Sequence, residues 1–154
     1  MANKSKITSS ESQKANERTR DLREQVAALC YRKGKRGNKE VLLVTSRDTG
    51  RWIIPKGWPM KGKDAHEAAA QEAWEEAGVK PDKVGDDPLG SYQYDKVLDD
   101  GSKTPVEAKV FPVKVRKLKE NYPEADERLR DWMSPRKAAR LVSEPELKAL
   151  LKKF

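Results

Sequence analysis

Cysteine and histidine each occur once in this 154-residue chain, phenylalanine twice, and aromatic residues make up only 6% of it. No stretch approaches the roughly 18 consecutive apolar residues of a membrane span, and Met1 to Arg20 lack the apolar core of a secretory signal. The expectation is a soluble, non-exported, cytoplasmic protein with no membrane partner. Cys30 can close no internal disulfide. Flanked by Ala28, Leu29 and Tyr31, it reads as a buried small residue in a strand and fits a reducing compartment. Repeats and low-complexity tracts are also absent.

Hydrophobic residues (36%) are slightly fewer than charged ones (38%), too many for a wholly disordered chain and enough for one compact domain. The net charge of +8 is unevenly spread. Arg32 to Lys63 hold ten Lys or Arg against two acids, whereas Asp64 to Val113 hold five bases against twelve acids. A basic segment followed directly by an acidic one suits an anionic ligand held beside a cation, although two solvated faces give the same counts.

Residues 1 to 24 carry few apolar side chains and read as a flexible or loosely docked leader, with Ser10 a candidate cap for a short helix through Arg23. The domain is placed at residues 25–154. Val26–Tyr31 and Val41–Thr45 are β-rich runs joined by a Gly-containing turn, and Arg51–Pro55 is a third short strand stopped by its proline. A loop from Lys56 to Lys63 leads to a helix with Asp64 as N-cap, Glu67 at capping-box spacing and Gly78 as C-cap. Pro88–Leu98 and Thr104–Val115 form a hairpin about Asp99-Asp100-Gly101. Arg130–Met133 is a last strand. Ser134-Pro135 opens a second helix to about Val142, and Glu146–Lys153 is a third. The order argues for an α/β fold with a mixed sheet and helices on its faces.

The first helix places Glu72, Glu75 and Glu76 on one face with no basic residue among them. Like charges at this spacing repel, and acids in the last turn oppose the helix dipole. Clustered carboxylate oxygens suit a hard divalent cation, and Mg²⁺ or Mn²⁺ would relieve the repulsion. The preceding loop brings Gly57, Gly62, Lys56, Lys61 and Lys63 to the helix N-terminus, where backbone N–H and ammonium groups can meet phosphate.

The run Gly57, Glu72, Glu75, Glu76, Gly78 and Val79 resembles the Nudix box, G-x5-E-x7-R-E-U-x-E-E-x-G-U with U aliphatic, across the 23 residues from Gly57 to Val79. Val41–Arg47 followed by Arg51–Pro55 is similar to the strand pair before the box in the diphosphoinositol polyphosphate and diadenosine polyphosphate branch of that family. The resemblance spans Gln25 to Leu141 and implies a Nudix α/β/α sandwich with a mixed central sheet. It also implies metal-dependent attack of water on a P–O–P linkage of a small organic diphosphate. Glu72, Glu75 and Glu76 would be the catalytic residues and the metal ligands. Arg47, Arg51, Lys56, Gly57, Lys61 and Lys63 are the candidates for substrate binding, and the basic stretch favours a highly charged diphosphoinositol or dinucleoside polyphosphate.

Lys63 and Gln71 replace the first Glu and the Arg of the box, which in the family belong to an ion-pair network that orients the catalytic helix. Two rival readings follow: a non-catalytic phosphate or nucleic-acid binding module on the same fold, and an RNA-end pyrophosphohydrolase. Glu124, Glu127 and Glu107 are further candidates for a metal ligand or general base. Trp52 is weighed between stacking on a substrate and core packing. Trp132 is assigned to the core, and His66 to packing or solvent.

Overall fold

The computed structural model describes residues 22–154. The leader and its helix from Ser10 lie outside these residues except at the helix's far end. There Leu22 is irregular and Arg23 already opens a strand.

Strand β1 (Arg23–Lys33) is the centre of the sheet because Gln25–Cys30 are all buried, the pattern of a strand covered on both faces. It pairs antiparallel with β2 (Lys39–Thr45), which also pairs antiparallel with β3 (Trp52–Ile53) further along. It pairs antiparallel also with the two-residue β4 (Lys56–Gly57), and parallel with β7 (Lys103–Leu118) from Arg23↔Val106 to Tyr31↔Lys114. Strands β5 (Val79–Val84) and β6 (Gly90–Val97) pair antiparallel with β7, and β8 (Arg130–Met133) with β2. The result is an eight-stranded mixed sheet with the path β3-β2-β1-β7-β5.

Strand alternation divides the apolar residues between two cores. Val26, Ala28, Cys30, Leu42 and Val44 face helix α1 (Ala65–Ala77), whose Ala68, Ala69, Ala73 and Ala77 let it lie close on the strands. Ala27, Leu29, Val41 and Leu43 face α2 (Pro135–Leu141) and α3 (Pro145–Lys153), which contribute Ala138, Ala139, Leu147 and Leu151. This is the α/β/α sandwich.

Two strands depart from the sequence reading. Lys56–Gly57, read as loop, is β4, because its backbone completes the edge of β1. Val79–Val84 is β5, although Lys80, Pro81, Asp82 and Lys83 give it no apolar alternation. Pairing with β7 imposes the strand, and its register shifts on either side of Pro81.

Candidate active site

Helix α1 carries the acidic cluster and is fixed at both ends. The Asp64 N–H donates to Glu67 Oε1 at 2.9 Å, and Gly78 takes the left-handed conformation (φ 69°) that ends the helix. A Cβ added to Gly57 would lie 2.3 Å from Glu72 Cδ, so Glu72 rests directly on the β4 backbone and only glycine leaves it room.

Glu76 is buried. Its Oε2 accepts from the Lys56 N–H at 3.3 Å, and its Oε1 lies 3.5 Å from an Arg128 guanidinium nitrogen. Burial and a hydrogen bond that the protonated carboxyl donates to Glu72 push Glu76 up to about 9, against the charges of Arg128 and Lys56. Burial also raises Glu72, with the charges of Glu75 and Glu124 adding to it and the bond to Glu76 opposing. Burial lowers the Lys56 ammonium to about 8, although Glu76 and Glu144 pull the other way.

Arg128 ties the site to the loop between β7 and β8. Its guanidinium grips Glu124 Oε1 through Nε (3.1 Å) and a terminal nitrogen (3.0 Å) and donates to the Thr45 carbonyl at 3.0 Å. The Glu124 N–H in turn donates to the Glu75 carbonyl at 3.0 Å, which docks this loop on the last turn of α1.

An open cleft brings together Glu72, Glu76, Gly57, Lys56 and Arg47 from the sequence reading, with Glu124 on its wall. Glu75 does not line it. Arg51 is turned away, hydrogen-bonded to Thr49 and 4.0 Å from Glu144, because its place just before β3 aims it at the α2–α3 side. Lys61 is exposed outside the cleft. Lys63 lines a separate groove with Met60 and Ala65, and Gln71 another with Trp74 and Lys80, so the two departures from the box do not meet. Glu127 pairs with Arg47 at 3.4 Å, and Glu107 accepts from Ser91 Oγ at 2.7 Å away from the cleft. Trp52 packs on the α2–α3 core and Trp132 on the α1 core, while half-buried His66 lies 6.3 Å from the Phe111 ring.

The cleft also holds Gln25, Trp58, Tyr94, Lys96 and Arg128, which sequence reasoning missed. A polar residue heading an apolar strand was the signal for Gln25. Arg128, within an acidic loop, has no spacing or motif that sets it apart in the sequence.

Among the described residues no three Asp, Glu, His or Cys side chains converge tightly enough to hold a metal ion. The donor chemistry nevertheless fits one of the hard kind. Glu72 and Glu76 offer only oxygens, and the desolvation that raises both carboxyls is a cost that a divalent cation can offset.

Comparison with known proteins agrees with this arrangement. The family model described as the NUDIX domain matches residues 21–154. The chain is 31% identical over 143 residues to Nudix hydrolase 21, chloroplastic, of Arabidopsis thaliana, covering 88% of this chain and 68% of that protein. It is 37% identical over 59 residues to mouse (Mus musculus) diphosphoinositol polyphosphate phosphohydrolase 3-alpha, covering 38% of this chain and 35% of that one. It therefore spans about two thirds of the first relative's length and about a third of the second's. Among solved structures, C. elegans Ap4A hydrolase superposes with a TM-score of 0.60 at 22% identity, over 86% of this chain and 96% of that one. The sandwich, the box helix and the matched family together make the chain a member of the Nudix hydrolase family.

Proposed function

We propose that residues 25–154 form a metal-dependent pyrophosphohydrolase domain that cleaves a P–O–P linkage in a highly charged organic diphosphate. One observation carries the reading. The half-buried Glu72 and the buried Glu76 stand in one open cleft with the cations Lys56, Arg47 and Arg128. Carboxylates gathered at such cost suit a cation, and the surrounding positive charge suits the phosphates that the cation would accompany.

Glu72 and Glu76, with Glu124 from the facing loop, would hold Mg²⁺ or Mn²⁺, and Glu75, on the same helix face but outside the cleft lining, would have to turn toward them to join. Such a cation, when bound, neutralises phosphate charge and lowers the pKa of a water. Arg128, held by Glu124 and the Thr45 carbonyl, keeps Glu76 in place and offers fixed positive charge where negative charge accumulates. Lys56 and Arg47 bind phosphate oxygens, and Gly57 allows the substrate and Glu72 to approach the backbone closely. Arg51, Lys61 and Lys63 have no part in this reading.

The Ap4A hydrolase and diphosphoinositol phosphohydrolase likenesses support a dinucleoside polyphosphate or diphosphoinositol polyphosphate as substrate. A screen of organic diphosphates with millimolar Mg²⁺ or Mn²⁺, reading phosphate-containing products directly, tests it. Metal-dependent release of phosphate from one of these classes is the expected result. Tight binding without turnover would favour the non-catalytic module.

A further inference from the structure

Strand β1 buries six consecutive residues, and the first of them, Gln25, is polar yet only 3% exposed. A buried side-chain amide brings two N–H donors and a carbonyl, each costly if left unmet. The Tyr94 hydroxyl donates to Gln25 Oε1, which occupies the carbonyl and turns Nε2 the other way. No described acceptor takes the Nε2 hydrogens. The only sealed side-chain atom without a partner among the described residues is Glu144 Oε1. Gln25 lines both the site cleft and the adjoining Lys63 groove, and its Tyr94 partner lines the cleft alone, which places the amide at the cleft.

The register shows which part of a ligand Gln25 meets. Gly57 pairs with Val26 on the α1 face, where Glu72 lies, whereas Lys56 pairs with Ala27 and shares the opposite face with Gln25. The Lys56 ammonium sits 5.0 Å over the Tyr94 ring, and Lys96 of the same cleft lies 6.0 Å from the Trp58 ring. The cleft therefore wraps the β4 edge, with carboxylates on one side and a neutral donor and two lysines on the other.

We propose that Gln25, oriented by Tyr94, is a specificity-determining residue. Its Nε2 donates to an unesterified phosphate oxygen on the part of the substrate that is not attacked. The inference rests on the pyrophosphohydrolase reading for the word substrate, but its test does not need turnover. Calorimetric titration with methylenediphosphonate and Mg²⁺, which cannot be hydrolysed at its bridge, reads the contact directly.

Gln25→Leu and Tyr94→Phe should each weaken binding about tenfold or more, the usual effect of losing a hydrogen bond to a charged group. With a turned-over diphosphate the same loss should fall in KM rather than kcat. The double variant should bind no more weakly than Gln25→Leu alone, because Tyr94 acts through the amide. Full additivity, or unchanged affinity in either single variant with a native circular-dichroism spectrum, overturns the proposal. Should Gln25→Leu not fold, Tyr94→Phe and the isosteric Gln25→Glu carry the test, the latter expected to bind most weakly by repelling phosphate. If the wild type binds the diphosphonate through Gln25 but hydrolyses nothing, the functional reading falls and this one stands. If the wild type hydrolyses a diphosphate and the variants bind as tightly as it does, Gln25 is no phosphate donor and the functional reading stands without it.

Discussion

Glu72 and Glu76 are held by different parts of the chain, Glu72 against a glycine and Glu76 between a backbone N–H and a guanidinium. Their substitutions should therefore fail in the chemical step rather than in folding. Glu72→Gln or Glu76→Gln keeps the shape and removes the charge, and kcat should fall by at least about 10²-fold with KM little changed. Steady-state kinetics on the best substrate of the screen checks this, and a loss confined to KM would remove the carboxylates from the chemistry. Gly57→Ala should lower activity comparably, since its Cβ would meet Glu72 Cδ at 2.3 Å and must push that carboxyl aside. An active Gly57→Ala enzyme would mean that Glu72 works from another position.

The elements that carry these residues differ in how well they were written into the sequence. Helix α1 was legible from its Asp64 and Gly78 caps and its alanines, and β8 and α2 from Arg130–Met133 and Ser134-Pro135, because local chemistry alone decides such features. Strand β5 was not, because its pairing with β7 rather than its own residues makes it a strand. The same limit applied to the site. Spacing revealed Gly57, Glu72 and Glu76, but only the sheet register brings Gln25, Tyr94 and Lys96 to the cleft, and only the docked loop brings Arg128. Gly78 joins α1 to that loop: its Cβ would lie 2.6 Å from the Tyr122 ring and 2.8 Å from the Lys119 carbonyl, at φ 69°. Gly78→Ala should cost about 1–3 kcal/mol and lower the melting temperature by several degrees. A melting curve matching the wild type would show that the loop yields freely.

At the scale of the whole molecule, the raised Glu76 carboxyl couples the site to stability. Glu76 titrates near 9 when folded and in the ordinary carboxylate range when unfolded. Between those values the folded state binds the extra proton, so stability falls as pH rises from about 5 toward 9. Lys56, lowered to about 8, contributes no slope below that value and an opposite one above it. Melting temperatures of the metal-free protein should therefore decline from pH 5 to 8. Millimolar Mg²⁺ or Mn²⁺ should raise them most at the alkaline end, where no proton must be displaced. A flat profile in Glu76→Gln would assign the slope to this group, and an unchanged slope in that variant would assign it elsewhere.

The parallel pairing of β1 with β7 governs more than the shape of the sheet. Each β1 residue from Arg23 to Tyr31 meets a partner about 80 positions later in the chain. Contacts of such long range are closed late and slowly, since loop-closure entropy is spent before they return anything. During synthesis, Val26-Ala27-Ala28-Leu29-Cys30-Tyr31 leaves the ribosome long before Lys103–Leu118 exists to cover its edge. Until then it is a bare apolar strand, open to any other β-edge it encounters, so the nascent protein is most vulnerable to aggregation in the interval before β7 emerges.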